Sequence, residues 1–268
     1  MLVVYGRINF LRFSANLGFL WTHLTLPDAI LEASKVGFDA VECHWPFDFC
    51  PIDVRSALNQ TNLPMICINT RPGNIQMGDF GLSAVFGREN EARSAIAEAF
   101  NYAISIEAKF VHVMAGLTNR DSRAEATYQN NLCYAADLAQ SSGIQVLIEP
   151  INQTDVRGYH LSYMEDAIST IKAVNSENIK LMFDCYHCQI MQGDLIRRLV
   201  TNLSYIGHVQ IAGVPDRGEP HAGELSYKAV LKALQSNGYR GYIGAEYKPR
   251  KTLGEGLTWL NTAREWCK

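Results

Sequence analysis

Four oxygen-bearing side chains each close an apolar run. Glu149 follows Gln145-Val-Leu-Ile148, Asp184 follows Ile179-Lys-Leu-Met-Phe183, Gln210 ends the run 205–210 and Glu246 ends the run 241–246. Runs of this length and composition read as strands, which places each polar side chain at a strand tip. An imidazole, His187, follows Asp184 by three residues, where the chain must already be turning. Any one of these residues alone reads as a loop cap or a partner for a lysine, but four closing consecutive strands read as a site. Two or three carboxylates with an amide carbonyl make a cage of hard oxygens that suits Mg²⁺ or Mn²⁺, whereas zinc more often takes His or Cys.

The elements that must position these tips alternate along the chain. Residues 11–16 alternate apolar and polar like a short strand, and 25–36 repeat apolar positions at helical spacing before Gly37. Strand character returns at 38–44, 64–69, 110–114, 145–149, 179–184, 205–210 and 241–246. Helical character occupies 52–58, 89–106, 124–140, 162–174, 195–200, 225–234 and 254–266. The connection 73–86 is long, rich in Gly and aromatic residues and without clear periodicity, as expected of a functional loop or lid.

Alternating strands and helices imply parallel crossovers, and no composition break or Pro/Ser-rich linker marks a second domain. The expected fold is a single (β/α)₈ TIM barrel over residues about 11–268, preceded by an extra stretch, residues 1–10. An open doubly wound sheet is the alternative, but it usually carries a Gly-rich phosphate turn after its first strand, and Asn16-Leu-Gly18-Phe has none. In a barrel, residues that close strands face the substrate.

Composition narrows the function. With 268 residues, 47% hydrophobic and 19% charged, the chain can bury a large core. A net charge of −3 with scattered Lys and Arg gives no footprint for nucleic acid or an anionic membrane. No run approaches the roughly 20 apolar residues of a membrane helix, and the first residues lack the features of a secretory signal. Seven irregularly spaced cysteines suit a reducing cytoplasm without disulfides. Cys185 and Cys188 have the spacing of a metal or redox motif, but no second pair accompanies them, so they read as bystanders.

Leu147-Ile-Glu-Pro-Ile-Asn152, Phe183-Asp-Cys-Tyr-His187, Gly207-His-Val-Gln-Ile-Ala-Gly-Val-Pro-Asp-Arg-Gly-Glu-Pro220 and Gly244-Ala-Glu-Tyr-Lys-Pro249 resemble the hydroxypyruvate isomerase family, within the xylose-isomerase-like TIM barrels. The resemblance runs from about Leu11 to the C-terminus and includes Asn69-Thr-Arg-Pro-Gly73, Gly87-Arg-Glu89 and His112-Val-Met-Ala-Gly116. The stretches around Gly81-Leu-Ser-Ala84 and His208 are as similar to the 2-oxotetronate isomerases.

The resemblance implies that Glu149, Asp184, Gln210 and Glu246 bind a divalent metal, that Glu149 and Glu246 also move protons, and that His187 contacts a substrate oxygen. Related sugar epimerases often have His in the place of Gln210. Arg217 could pair with a substrate carboxylate through its planar fork, in competition with Lys248, Arg71 and Arg88. His208, two residues before Gln210, reads as core packing or a lower barrel layer, and Trp21, Trp45, Phe47 and Phe49 could wall a small pocket. The expected activity is isomerisation of a small hydroxy-keto acid, with hydroxypyruvate and tartronate semialdehyde first and a 2-oxotetronate second. A homo-oligomer is left open. A non-catalytic sugar-acid-binding barrel would have no need for both glutamates, and a DNA-repair endonuclease of the superfamily would need a basic groove and several metal-ligating His and Asp residues that are not visible.

Overall fold

The computed structural model describes residues 11–266; the expected N-terminal stretch 1–10 lies outside the described residues, as do 267 and 268. Eight strands run through it: β1 Arg12–Asn16, β2 Ala40–Glu42, β3 Cys67–Asn69, β4 Phe110–His112, β5 Gln145–Ile148, β6 Ile179–Asp184, β7 Ile206–Ile211 and β8 Tyr242–Ala245. The helices are α1 Leu26–Val36, α2 Pro51–Thr61, α3 Glu89–Ile106, α4 Ser122–Ser142, α5 Met164–Val174, α6 Cys185–Met191, α7 Leu195–Thr201, α8 Tyr227–Ser236, α9 Leu253–Gly256 and α10 Trp259–Trp266.

All strand pairs are parallel, in the order β2-β1-β8-β7-β6-β5-β4-β3. β1 pairs with both β2 and β8, and a parallel bridge between Val41 and Met65 joins β2 to the segment entering β3. A ring built this way is the (β/α)₈ barrel and excludes an open doubly wound sheet. Among the described residues, no helix is long and apolar enough to cross a membrane.

Local chemistry starts and stops the helices where the pattern indicates. Thr25 caps α1 by accepting the Asp28 N–H, and Gly37, at φ +91°, ends it by donating back to the carbonyls of Ala33 and Ser34. Two helical regions depart from the expectation. The segment 254–266 forms two helices, α9 and α10, instead of one. The turn after β6 is itself a helix, α6, because the Asp184 carboxylate accepts the Tyr186 N–H at 2.7 Å and caps it.

The long connection is held down over its second half. Gly81 bridges Ala115, the Ala84 N–H donates to the Ala115 carbonyl at 2.6 Å, and the Asn131 amide donates to the Ser83 carbonyl at 2.9 Å. The contact needs glycine on both sides: a Cβ on Gly116 (φ +101°) would sit 2.4 Å from the Gly81 carbonyl oxygen. Gly116→Ala therefore combines a left-handed backbone, which costs a non-glycine residue about 1–3 kcal/mol, with displacement of the loop that brings Phe80 to the barrel mouth. Gly143→Ala is the control, since Gly143 has φ +73° but no atom within 4 Å of its added Cβ. Urea denaturation should show the larger loss for Gly116→Ala; equal losses would contradict the loop contact.

Candidate active site

The strand ends bring the four side chains to one mouth of the barrel, with Gln210 one residue short of the end of β7 and not closing it as expected. Asp184 is the last residue of β6, Gln210 pairs with it in register on β7, and Glu149 and Glu246 follow directly after β5 and β8. All four are buried, as is His187 on the first turn of α6.

Asp184 divides its two oxygens between fold and site. Oδ1 caps α6, while Oδ2 lies 3.6 Å from His187 Nε2 and 3.3 Å from Arg217 Nη2. The same Arg217 nitrogen donates to Glu246 Oε2 at 3.0 Å, and the other Glu246 oxygen meets His44 Nε2 at 2.8 Å. Glu149 Oε1 has no hydrogen-bond partner although it is buried, and it lies 3.7 Å from His187 Nε2. Ligand atoms of Glu149, Asp184 and His187 all fall within 4.8 Å of one another.

The hydrogen bonds assign the His187 ring. Its Nδ1 accepts from the Asn152 backbone N–H at 3.3 Å and from the Asn152 side-chain amide at 2.7 Å, whose own oxygen is taken by the Asp155 N–H. The neutral ring thus carries its proton on Nε2, facing the carboxylates, and is arranged to donate to an oxygen rather than to offer a lone pair to a metal. Burial, helped by Arg217, keeps this ring neutral by pushing its pKa well below the usual histidine value.

Three carboxylates share this buried pocket with one guanidinium. Burial, and then repulsion from Glu246 and Asp184, pushes Glu149 well above the usual carboxylate range. Burial also raises Asp184, to about 7, although Arg217 partly offsets it. Burial opposes the charge on Glu246 as well, but Arg217 and the His44 hydrogen bond outweigh it and hold Glu246 below the ordinary range. The pocket is short of positive charge. That shortage, the unpartnered oxygens Glu149 Oε1 and Gln210 Oε1, and a donor set of carboxylate and amide oxygen together fit a hard divalent cation.

A cavity of about 70 Å³ opens beside these groups, walled by His44, Trp45, Phe80, His112 and Arg217 among others. Of the cations weighed from sequence, Arg217 alone lines it. Its guanidinium lies between the rings of Phe19 and Tyr186, 5.1 Å from each centroid. Arg71 is held elsewhere, donating to Glu98 at 2.7 Å with its face over Phe47. Arg88 is engaged by Asp79 and Glu91. Lys248 reaches over Phe19, with Nζ 5.5 Å from the ring centroid, and is not among the cavity walls. Of the four aromatics considered as walls, Trp45 lines the cavity; Trp21 packs on Phe38, and Phe47 on Tyr102.

Three residues of the site are not among the strand tips read from the sequence, although His112 and Glu42 each close a strand. His112 ends β4, with Nδ1 3.3 Å from Asn69 Oδ1 and Nε2 buried without a partner. His44 lies two residues beyond β2, and Gly18 makes room for its ring: a Cβ there would fall 2.3 Å from Nδ1. Glu42, on β2, is wholly buried beneath the site and accepts from Ser14, Asn16, His208 and Gln210. A carboxylate inside the apolar run 38–44 is the signal that could have found it. His208 lies in the lower layer, stacked on Phe110 and bonded to Glu42 at 2.8 Å. Cys185 and Cys188 are buried in the hydrophobic core.

The family model of xylose isomerase-like TIM barrels matches residues 30–263. A 2-oxo-tetronate isomerase of Cupriavidus necator is 42% identical over 93% of this chain and 97% of its own length. The hydroxypyruvate isomerase of Escherichia coli K12 is 35% identical over 95% of this chain and 100% of its own. Among solved structures, one described as an AP endonuclease of family 2 from Brucella melitensis superposes with a TM-score of 0.90 at 38% identity, covering 94% of this chain and 98% of that one.

Proposed function

The chain belongs to the xylose isomerase-like TIM barrel family and is an isomerase, and from that premise we propose that it interconverts hydroxypyruvate and tartronate semialdehyde by moving a proton between adjacent carbons. The observation that carries this reading is the pair of buried glutamates at the tips of β5 and β8. Two strands separate these tips around the ring, and the partners of the two carboxylates hold them in different states. In the forward direction the C3–H bond of hydroxypyruvate breaks and a C2–H bond forms. The C3 hydroxyl loses its proton and becomes the carbonyl while the C2 oxygen gains a proton and becomes the hydroxyl, so atoms and electrons balance without a redox partner.

Glu246, held ionised by Arg217 and His44, is suited to accept a carbon-bound proton. Glu149, held well above the ordinary carboxylate range by burial, would return the proton, and the reverse reaction would exchange the two roles. His187 Nε2–H donates toward the substrate oxygens. Phe80, Ile151 and Val156 supply the apolar part of the walls. A divalent ion, Mg²⁺ or Mn²⁺, held by Glu149, Asp184, Gln210 and Glu246 would supply Lewis-acid stabilisation of the negative charge that builds on the substrate oxygens.

The cavity supports a small acid. At roughly 10–15 Å³ per water site, its volume of about 70 Å³ gives room for several water-sized groups and so accommodates a three- or four-carbon acid. The 42% identical relative named 2-oxo-tetronate isomerase favours a four-carbon substrate as the second reading. Assaying metal-loaded protein against hydroxypyruvate and 2-oxo-tetronate side by side separates the two: the first reading expects the higher kcat/KM on hydroxypyruvate, and a preference for the four-carbon acid replaces it with the second.

Arg217 is the group through which the carboxylate would be recognised, since its Nε is buried and unpartnered. Arg217→Leu should raise KM for either acid by about 10- to 10²-fold, the range for losing a charged hydrogen bond of ~1.5–3 kcal/mol. It should leave an uncharged three-carbon hydroxy-ketone much less affected. An equal effect on charged and uncharged substrates would remove the carboxylate contact.

A further inference from the structure

Gln210 is the odd member of the oxygen set, because an amide has one face that attracts a cation and one that repels it. Its Nε2 donates to Glu42 Oε1 at 2.8 Å, which leaves Oε1 turned away from Glu42, buried and without a partner. Glu42 enforces that choice. Its oxygens accept from Ser14 Oγ at 2.7 Å, Asn16 Nδ2 at 3.2 Å and His208 Nε2 at 2.8 Å as well as from Gln210, so donors converge on it from β1 and β7. A flipped Gln210 would set carbonyl oxygen against carboxylate oxygen in a buried layer, which burial makes expensive.

The fold makes this reach possible at one glycine. In the ring, β1 and β8 stand between β2, which carries Glu42, and β7, which carries Gln210. Gly244 of β8 pairs in register with both Ser14 and Gln210. A Cβ on Gly244 would lie 2.6 and 2.7 Å from the two Glu42 oxygens and 2.8 Å from Gln210 Cγ. The missing side chain is the passage through which Glu42 crosses to Gln210.

We propose that Glu42 is a positioning residue that locks the Gln210 amide so that its carbonyl oxygen, not its NH₂, is presented to the divalent cation. The inference rests on the reading of Gln210 as a cation ligand. It explains how an amide serves at this strand tip: the orientation that a carboxylate would not need is supplied by a second carboxylate one layer below. Partners of this kind that orient a metal ligand typically contribute about 10- to 100-fold in affinity.

Mn²⁺ binding, followed by calorimetry and by the electron paramagnetic resonance of the free ion, tests this without reference to turnover. Glu42→Gln should weaken Mn²⁺ binding at least about tenfold, because an amide at this position has one face that cannot accept. Gln210→Glu should be worth at least about tenfold more affinity in the Glu42→Gln background than in the wild type, since a carboxylate in place of Gln210 has no wrong face and can accept from the amide that replaces Glu42. Wild-type affinity in Glu42→Gln, or simple additivity across the four proteins, overturns the proposal. Where Glu42→Gln fails to fold, Glu42→Asp decides: it draws the carboxylate back from Gln210 by one methylene without adding bulk against a ligand and should weaken Mn²⁺ binding similarly, and unchanged affinity overturns the proposal. Absence of Mn²⁺ binding in the wild type is a different result, which removes the cation site itself and the proposal with it.

Discussion

Glu246→Gln and Glu149→Gln proteins, folded and saturated with metal, should each form isomer at least about 10²-fold more slowly than the wild type, the lower range for losing a general acid or base. The two substitutions remove different things. Glu246 is held ionised by Arg217 Nη2 at 3.0 Å and His44 Nε2 at 2.8 Å, so its amide variant keeps two hydrogen-bonding partners but cannot take a proton. Glu149 has an unpartnered oxygen, so on the proposed reading its amide variant loses both proton transfer and a charge toward the cation. Asp184→Asn differs again. It should chiefly weaken metal binding, and excess metal should restore much of its rate, because Asp184 is committed by Oδ1 to capping α6 and by Oδ2 to the charge balance. A Glu246→Gln enzyme with wild-type kcat removes its role as the base.

Chelation should abolish turnover, and Mg²⁺ or Mn²⁺ should restore it. Proton uptake gives this expectation a second readout. In the metal-free protein, burial raises Asp184 to about 7 from an ordinary value of 3.8 and Glu149 well above its ordinary value. A carboxyl whose pKa is raised by folding binds more protons folded than unfolded between the two values. The metal-free protein should therefore lose stability as pH rises from about 4 through about 7, the window set by Asp184. The metal-loaded protein should not follow that slope, and metal binding near pH ~6 should release protons. Calorimetry in buffers of different ionisation enthalpy measures the release. Full turnover after chelation, or binding without proton release, would contradict the assignment of these carboxylates to the cation.

The barrel and three of its carboxylates were legible because they follow from pattern. Glu149, Asp184 and Glu246 each end an apolar run, and in this fold a strand end is also an address. Glu42 closes the short strand β2 but lies inside the longer apolar run 38–44, and it reaches Gln210 only across Gly244, a three-dimensional passage that no local spacing records. His44 lies beyond the end of its strand and enters the site because Gly18, distant in sequence, leaves space. Arg217 could not be separated from Lys248, Arg71 and Arg88 by type or position. The difference is that Glu98 engages Arg71 and Asp79 with Glu91 engages Arg88, while Arg217 lies between Phe19 and Tyr186 above Asp184 and Glu246. Helix α6 was hidden for a related reason: its cap is Asp184 itself, a residue already read as chemistry.

Proton transfer between carbons is the central claim, and nuclear magnetic resonance of metal-loaded wild-type protein with hydroxypyruvate in deuterated water tests it most directly. The expected result is growth of the aldehyde isomer, lost by at least about 10²-fold in Glu149→Gln and Glu246→Gln, with deuterium entering the carbon position wherever the glutamate's proton exchanges before it is returned. Retained protium with isomer formation still fits, as a shielded transfer. A wild-type protein that binds hydroxypyruvate and 2-oxo-tetronate tightly, yet neither isomerises them nor exchanges their carbon-bound protons, would contradict the account and leave a barrel that binds such acids without catalysis.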